Sequence, residues 1–303
     1  MQNIVIVGGT GFIGSAIAAA LRKAGNVVTV TSSRPEAVNA ELGIRFGDML
    51  RPETMNAAVA GADVLIQSAN FANYPFENAW KGYTYSTFDW KGTQDLVRVA
   101  KGAGVRRYVF VAGVGVSLNS PKPYFRAIAE GEKAIEDSGL EAVSLRPAFV
   151  YGPQDRGLNR IIRFARYSPV IPILEHPDQL HQPIFIDDLA NAACHVVGQG
   201  SPQGKFDLAG PDRMTLRDMI TRALDVVGMK RLLLAVPHPM AYLGAAVLEK
   251  FPNSLLTRSG IDFCLESFVA ADKMPNHGLT RRLTSFEIGL RSYLGKGTKC
   301  ATD

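Results

Sequence analysis

The sequence has few of the residues that mark secreted or metal-binding proteins. Its 303 residues include only three cysteines, Cys194, Cys264 and Cys300, without a CxxC pair or the cysteine–histidine spacing of a zinc site. We therefore predict no disulfide framework and no metal site, which favours a reducing compartment. The opening residues, MQNIVIVGGTGFIG, lack the basic region and cleavage site of a secretory signal peptide. We expect a cytoplasmic protein.

Long apolar runs and dense charge runs are also missing. The most apolar later stretch, residues 232–248, is interrupted by Pro237, His238 and Pro239, which argues against a membrane-spanning helix. The net charge is only +5, and its lysines and arginines are scattered. We therefore expect no nucleic-acid partner and no membrane span, whereas peripheral association with an anionic surface stays open.

The first half of the chain has the pattern of a Rossmann-type α/β domain. The composition, 47% hydrophobic and 20% charged, is that of a globular protein. Over residues 3–150, short β-branched segments alternate with longer amphipathic ones, which predicts βαβ units and a doubly wound parallel sheet. The predicted strands are 4–7, 27–31, 44–46, 64–67, 108–111 and 142–145, with helices at about 12–24, 52–60, 86–103 and 122–138.

After Pro147 the alternation gives way to the turn-rich segment YGPQDRG. This change predicts a nucleotide-binding domain over 1–150 and a smaller, mostly helical substrate region over 151–181 and 211–303. The chain is expected to return to the first domain at about 182–210, with a strand at 183–186, a helix at 187–197 and a strand at 205–208. Further helices are predicted at about 215–228, 238–250 and 284–294.

The segment GGTGFIG at 8–14 follows a predicted strand and opens a predicted helix, the context of a dinucleotide-binding loop. Gly8 would permit the tight turn, Gly11 the close approach of the backbone to a pyrophosphate, and Gly14 the packing of helix on strand. The helix N-terminus would supply free N–H groups. The predicted ligands in this loop are Gly8, Thr10, Gly11, Phe12, Ile13 and Gly14.

The end of the second predicted strand indicates which dinucleotide is bound. An acidic residue there would bind the ribose 2′-hydroxyl of NAD(H). The chain instead has Thr31, Ser32, Ser33 and Arg34, and hydroxyls with a guanidinium suit the 2′-phosphate of NADP(H). We predict NADP(H) rather than NAD(H), with Ser32, Ser33 and Arg34 as ligands. The alternative is that Arg34 is simply an exposed residue beside Pro35.

Asp48 and Met49 follow the third predicted strand in the segment GDM. Asp48 is positioned to accept a hydrogen bond from the adenine amine, so both residues are predicted beside the adenine. The alternative role for Asp48 is to cap the turn that follows.

Together, several segments resemble the extended and atypical short-chain dehydrogenases/reductases over nearly the whole chain. Within that family, the resemblance is strongest to the branch of the nucleotide-binding accessory subunit of respiratory complex I and its bacterial relatives. It implies that Ser68, Ala69, Tyr124 and Pro147 also border the cofactor. The segments are GGTGFIG (8–14), GD (47–48), ADVLIQSA (62–69), GVRRYVFVAGVG (104–115), PYFRAIAEGEKAIEDSGL (123–140), SLRPAFVYGP (144–153), QPIFIDDLA (182–190) and FDLAGPDRMTL (206–216).

The family's reaction uses a serine, a tyrosine and a lysine four residues after the tyrosine, which lowers the tyrosine pKa. Tyr124 matches the tyrosine, but Ile128 stands in the lysine position, and no hydroxyl follows the fifth strand at Ala112 or Gly113. Tyr124 is therefore the single catalytic candidate, as a proton donor in reduction rather than a base. The alternative is that Tyr124 only packs at the start of its helix.

Residues 71–90 are unusually rich in aromatic side chains for a connecting segment. In this fold the loop after the fourth strand borders the nicotinamide end, so these rings could line a flat or apolar substrate. A subunit interface or a satellite core is the alternative, because both favour aromatic residues. The predicted substrate residues are Phe71, Tyr74, Trp80, Tyr83, Tyr151 and Gln182.

Three functions remain at this point. The first is an NADP(H)-dependent oxidoreductase acting on an apolar, quinone-like or enone-like small molecule without the usual serine–tyrosine–lysine set. The second is a non-catalytic NADP(H)-binding protein for assembly or sensing. The third is an enzyme similar to nucleotide-sugar epimerases and dehydratases. We expect a monomer or a homodimer.

Overall fold

The computed structural model describes residues 1–176, 178–251, 257–271, 279 and 282–295. Cys300 lies outside these residues. The strands are β1 (Asn3–Val7), β2 (Val27–Ser32), β3 (Ile44–Phe46), β4 (Val64–Gln67), β5 (Arg107–Val111), β6 (Glu141–Pro147), β7 (Val150–Tyr151), β8 (Val170–Ile173), β9 (Leu180–His181), β10 (Ile184–Phe185), β11 (Gly204–Leu208), β12 (Met214–Thr215) and β13 (Leu232–Ala235). The helices are α1 (Phe12–Lys23), α2 (Met55–Val59), α3 (Thr93–Gly102), α4 (Pro123–Glu136), α5 (Leu158–Ala165), α6 (Ile186–Val196), α7 (Leu216–Val226), α8 (His238–Leu248), α9 (Arg258–Cys264) and α10 (Phe286–Leu294).

In the described part of the chain, seven strands form one parallel sheet in the order β11-β6-β5-β4-β1-β2-β3. The chain starts in the middle, winds outward through β2 and β3, and then crosses back to β4 and the opposite edge. This order confirms the predicted doubly wound Rossmann fold. The crossing between β1 and β4 leaves a crevice at the carboxyl ends of these two strands, where ligands bind in such sheets.

Both faces of the sheet are covered, as the unbroken apolar strands require. Because side chains alternate along a strand, Val5 and Val7 of β1 enter a core with α2, α3 and α4, whereas Ile4 and Ile6 enter a second core with α1 and α6. A third core joins α5, α7 and α10 in the C-terminal region. The two sheet cores hold β1 and β4 rigidly from both sides.

Some elements differ from the sequence-based expectations. The strand expected at 183–186 is the two-residue strand β10, which pairs with β7 outside the main sheet, and α6 begins at Ile186. The helix expected at 86–103 opens with a π-helical turn over Ser86–Gly92 before α3. The pairing of β8 with β13 was not foreseen.

No helix in the described ranges is long and apolar enough to cross a membrane.

Candidate functional site

The glycine loop lies where β1 ends and α1 begins. Gly8 has a φ angle of +80°, which favours glycine because a side chain there is strained. A Cβ on Gly8 would lie 2.5 Å from the Cα of Ala69. A Cβ on Gly14 would lie 2.4 Å from the carbonyl oxygen of Gly8 and 2.6 Å from Oγ of Ser68. Bare backbone at both positions is therefore needed for the loop to pack between α1 and β4.

Gly9 was not among the predicted functional residues, although it shapes the same loop. A Cβ on Gly9 would lie 2.5 Å from side-chain atoms of Val30 in β2. The paired glycines of the sequence were the available signal. Gly9 lets the loop lie flat against β2 and so fixes the direction in which α1 leaves.

Gly11 differs from these glycines because the space beside its Cα is nearly open. A Cβ there would meet only the carbonyl oxygen of Gly8, at 3.2 Å. Gly11 is also the N-cap of α1, so the first turn has no side-chain acceptor for its N–H groups. An uncapped helix N-terminus beside open space suits a phosphate group. The loop therefore fits the pyrophosphate of a dinucleotide.

Thr10, Phe12 and Ile13 are half-buried. Phe12 and Ile13 pack partly against the core of the C-terminal region. Their side chains have no polar group, so they can bind a phosphate only through their backbone N–H groups.

The end of β2 is arranged as a polar turn. The Ser32 side chain is buried, and its Oγ accepts a hydrogen bond from the backbone N–H of Arg34 at 3.2 Å. Ser33 and Arg34 are exposed. Within the described ranges, the Arg34 guanidinium has no hydrogen-bond or ion-pair partner. The turn after β2 therefore carries one cation, the Arg34 guanidinium, that no described acid neutralises.

Asp48 and Met49 follow the carboxyl end of β3, the strand next to β2. One Asp48 oxygen accepts from the N–H of Leu50 at 3.0 Å, and the other accepts from Nε of Arg51 at 2.9 Å. These contacts are those of the turn-capping alternative. Met49 is buried, with its sulfur 3.9 Å from Nε2 of Gln67. An adenine contact by Asp48 stays a prediction.

Ser68 and Ala69 follow β4, the neighbour of β1. Ser68 donates through its N–H and its Oγ to the carbonyl oxygen of Val7, at 2.9 and 3.3 Å. Pro147 ends β6, two strands farther along the sheet, and its carbonyl accepts from the N–H of Val114 at 3.1 Å. The structure thus brings the loop, Ser68 and Ala69 into contact and places Pro147 at the same sheet edge.

An aromatic cluster lies next to Ala69. We use this name for a connected set of rings whose centroids lie 4.2 to 6.4 Å apart. Ala69 packs against the same core, so one residue joins the glycine loop to these rings. The set comprises Phe71, Tyr74, Tyr83, Tyr85, Phe88, Tyr124, Phe125, Phe263 and Phe268.

Phe263 and Phe268 were missed by sequence reasoning. Phe263 comes from α9 and lies 5.0 Å from the Tyr124 ring and 5.5 Å from the Tyr74 ring, centroid to centroid. The C-terminal region thereby closes over rings supplied by residues 71–88. No local pattern in the sequence marks these two phenylalanines, because only the tertiary fold brings α9 to this place.

Tyr124 lies inside the aromatic cluster. Its side chain is 1% exposed, and its hydroxyl has no hydrogen-bond partner among the described residues. Burial, and then the charge of Glu266, raise the Tyr124 pKa well above its usual range. Ile128 is buried in the same core. Tyr124 therefore keeps its proton at neutral pH and can only donate it.

Asp89 is a second buried polar group that sequence reasoning missed. It lies in the π-helical turn, and its Oδ2 has no partner within the described ranges. Burial, and then Glu77, raise the pKa of this carboxyl. π-Helical turns are frequent at functional sites. Asp89 is therefore a buried carboxyl whose surroundings favour its neutral form.

The other predicted substrate residues are dispersed. Trp80 is 73% exposed and lies outside the aromatic cluster. Tyr151 is fully buried, with its hydroxyl 3.3 Å from the carbonyl oxygens of Ser285 and Phe286. Gln182 is buried and donates to the carbonyl of Gly210 at 2.8 Å. Tyr151 thereby joins β7 to the start of α10, and Gln182 joins the segment before β10 to the turn after β11.

Known proteins resemble this chain in sequence and in fold. The chain is 28% identical over 263 residues to the mitochondrial NADH dehydrogenase (ubiquinone) 1 alpha subcomplex subunit 9 of Arabidopsis thaliana, covering 82% of this chain and 64% of that protein. It thus spans somewhat less than two thirds of that relative. It is 26% identical over 279 residues to the 2-alkyl-3-oxoalkanoate reductase of Stenotrophomonas maltophilia (strain K279a), covering 82% and 83% of the two chains.

The fold is likewise shared with solved structures. Human epimerase family protein SDR39U1 (isoform 2) with NADPH superposes with a TM-score of 0.74 at 18% identity, covering 97% of this chain and 99% of the other. Residues 4–209 match the model of the NAD dependent epimerase/dehydratase family. These findings confirm the resemblance to extended short-chain dehydrogenases/reductases. Because the family model matches more than half of the sequence, the chain belongs to the NAD dependent epimerase/dehydratase family.

Proposed function

We propose that this protein is an NADP(H)-dependent reductase of an apolar small molecule, with Tyr124 as its proton donor and no lysine to assist it. The observation that carries the proposal is the buried, unpartnered hydroxyl of Tyr124 in the aromatic cluster. Leaving such a group unsatisfied costs about 1–3 kcal/mol of stability. A buried group left unsatisfied at that cost requires an explanation, and a catalytic role supplies one.

The glycine loop and the turn after β2 have the residues that a dinucleotide needs. The N–H groups at the start of α1 would hold the pyrophosphate, and Ser32, Ser33 and Arg34 would hold the 2′-phosphate of NADP(H). When bound, the nicotinamide supplies a hydride. Support for NADP(H) over NAD(H) is the unneutralised Arg34 and the polar turn at the end of β2. The family is named for NAD, whereas the human neighbour was solved with NADPH.

Tyr124 is suited to one direction of reaction. Because its pKa is raised, it holds its proton at neutral pH and cannot act as a base to start an alcohol oxidation. It can still give the proton to an oxygen or carbon that gains negative charge during reduction. Ile128 and the missing hydroxyl after β5 leave this single proton donor. The site therefore favours acceptors that are already polarised, such as a 3-oxo acid or an enone.

The surroundings of Tyr124 set the substrate class. Glu266 and Asp262 are carboxylates close enough to add to the effect of burial on the Tyr124 pKa. The walls around the Tyr124 ring are the rings of Tyr85, Phe125 and Phe263. Such walls favour an alkyl or aromatic substrate over a hydroxyl-rich sugar, whose polar groups would find few partners. A relative of similar length is named as a 2-alkyl-3-oxoalkanoate reductase, which supports an apolar 3-oxo substrate.

A non-catalytic, NADP(H)-binding protein is the second candidate. The complete burial of Tyr124 beneath Phe263 favours it, because a substrate would have to displace part of the C-terminal region.

Consumption of NADPH with 3-oxo acids of increasing alkyl length decides between these functions. We expect turnover that rises with chain length and falls about 10²–10⁴-fold in Tyr124→Phe. Tyr293→Phe is the matched control, since it removes another buried, unpartnered hydroxyl in the C-terminal core. Stabilisation by NADPH without its consumption would support the second candidate. Turnover that is unchanged in Tyr124→Phe would refute the role of Tyr124.

A further inference from the structure

The C-terminal region exposes an unusual amount of apolar surface. In the β8–β13 pair, Leu233, Ile171 and Ile173 face the core. The alternate residues face outward: Leu232 and Leu234 of β13 are 63% and 56% exposed. Side chains alternate between the two faces of a strand, so this pair has an uncovered outer face made largely of leucine.

The next element, α8, starts beside the end of β8, where Nε2 of His238 lies 2.8 Å from the carbonyl oxygen of Glu175, and it also exposes apolar side chains. In α8, Met240, Leu243 and Val247 recur at helical spacing and are 53–70% exposed, and Phe251 lies at the same spacing beyond the helix end. The opposite side of α8 holds the buried Ala245 and the half-buried Tyr242. The helix therefore presents its larger apolar side chains to the outside, the reverse of an ordinary surface helix.

Exposed cations lie on α5, which packs against β8. On α5 and the turn after it, Arg160, Arg163, Phe164 and Tyr167 are exposed at the spacing of one helix face. Arg231 connects this helix to β13, since its Nε donates to the carbonyl of Ala165 at 2.6 Å. The arginine side chains at 160 and 163 have no ion-pair partner among the described residues.

In the two chain segments that form these elements, every charged residue is basic. Residues 156–174 and 226–248 together contain six arginines and lysines and no aspartate or glutamate. Of the acids that border these segments in the sequence, Glu175 pairs with Arg217 and Glu249 pairs with Arg258. Asp155 is buried and accepts from the backbone N–H groups of Gly157 and Leu158. Asp225, at the end of α7, is exposed without such a pair.

We infer that this outer face, formed by α5, the β8–β13 pair and α8, binds peripherally to a membrane surface containing anionic lipids. Leucine, methionine and aromatic side chains beside arginines are the composition of interfacial membrane-binding elements. The apolar side chains would enter the boundary between headgroups and acyl chains, and the arginines would contact anionic headgroups. Aliphatic side chains on β13 and α8 favour a bilayer over a nucleic acid. The inference does not depend on the proposed reaction.

Vesicle co-sedimentation of the full chain tests this inference. We expect binding to phosphatidylcholine vesicles containing about 30% phosphatidylglycerol and at least about 10-fold weaker binding to phosphatidylcholine alone. Raising the salt from about 0.1 to 1 M, which shortens the Debye length from about 10 to 3 Å, should remove most of the difference.

Matched variants separate the apolar contribution to vesicle binding from the electrostatic one. Leu234→Asn with Leu243→Asn should weaken binding to anionic vesicles about 10–100-fold, and Arg160→Ser with Arg163→Ser should weaken it about 10-fold or more. The control is Leu42→Asn with Ile288→Asn, two equally apolar positions that are each 62% exposed elsewhere on the surface. It should bind as the parent protein does.

Several outcomes would overturn the inference. Absence of vesicle binding would do so, as would equal weakening in the Leu42 and Ile288 control. A concentration-dependent dimer in sedimentation velocity that Leu243→Asn dissociates, without vesicle binding, would identify the face as a contact between two copies of this chain. Unchanged circular dichroism of each variant keeps loss of binding distinct from loss of fold.

Discussion

Replacement of Gly11 by alanine should abolish tight nucleotide binding without unfolding the protein. A Cβ at this position meets only the carbonyl oxygen of Gly8 at 3.2 Å, and the backbone angles, φ −83° and ψ 175°, suit any residue. The added methyl group would nevertheless fill the open space at the start of α1. The matched control is Gly14→Ala, whose Cβ would lie 2.4 Å from the carbonyl oxygen of Gly8.

The magnitudes follow from these distances. For Gly11→Ala, the reduced entropy of the unfolded chain stabilises by about 0.4–1 kcal/mol. The poorer N-cap costs about 0.5–1 kcal/mol, so stability should stay nearly unchanged. Displacing a phosphate from one or two N–H groups costs about 1.5–3 kcal/mol each, or at least about a 10-fold increase in Kd. Gly14→Ala should cost about 1–3 kcal/mol of stability or more, because backbone atoms must move.

Calorimetric titration with NADPH and thermal unfolding measure the two effects separately. Parent protein should be stabilised by about 2.7 kcal/mol when NADPH is present at 100 times its Kd. Gly11→Ala should keep the parent Tm without ligand but lose most of this gain at the same concentration. Parent-like NADPH affinity in Gly11→Ala would refute the placement of the pyrophosphate at this glycine.

Three further predictions concern the cofactor turn and the aromatic cluster. Arg34→Glu should weaken NADPH binding about 10–100-fold and change NADH binding little, as measured by calorimetry, because a carboxylate would repel the 2′-phosphate; equal loss for both cofactors would contradict the assignment. Tyr124→Phe should lower turnover and raise the free energy of unfolding, measured in urea, by up to about 1–2 kcal/mol, because it removes an unsatisfied buried hydroxyl. Ile128→Lys should gain no activity and should lose stability, because it buries a charge. Asp89→Asn should flatten the pH dependence of stability. Burial raises the Asp89 pKa above its ordinary value near 3.8, so the folded state binds more protons than the unfolded state, and parent stability falls as the pH rises from about 4 through the folded-state pKa. An identical slope in the variant, from urea unfolding at several pH values, would show that Asp89 is not the group responsible.

The first βαβ unit could be predicted closely because its signals are local. The β-branched segments, the glycine loop and the amphipathic helix all lie within about thirty residues, and the predicted β1 and α1 differ from the structure by only one residue at an end. Gly8 and Gly14 are held by contacts with adjacent segments of the same sheet. Short-range chemistry therefore predicted both the fold class and the loop.

Features set by long-range contacts could not be predicted. The strand expected at 183–186 is reduced to β10, which pairs with β7 about 34 residues earlier in the chain, and α6 begins at Ile186. The β8–β13 pair joins segments about sixty residues apart. The leucines of β13 were interpreted as part of an interrupted apolar run, because the sequence does not show that no other element covers the outer face of this strand.

The aromatic cluster was predicted only in part. The density of rings over residues 71–90 identified Phe71, Tyr74 and Tyr83, but Trp80 in the same run is exposed. Asp89 was missed because a charged residue on a helix is normally solvated, and only the π-helical turn buries it against α4. Composition indicates that rings are abundant, whereas packing decides which of them are enclosed.

The most direct test of the proposed reaction is transfer of deuterium from NADPH labelled at the nicotinamide C4 position into a reduced alkyl 3-oxo acid. We predict that label appears in the product with the parent protein and falls about 10²–10⁴-fold in rate with Tyr124→Phe. Label that stays in the nucleotide while NADPH still raises the Tm, or label recovered instead in a nucleotide sugar, would contradict the account.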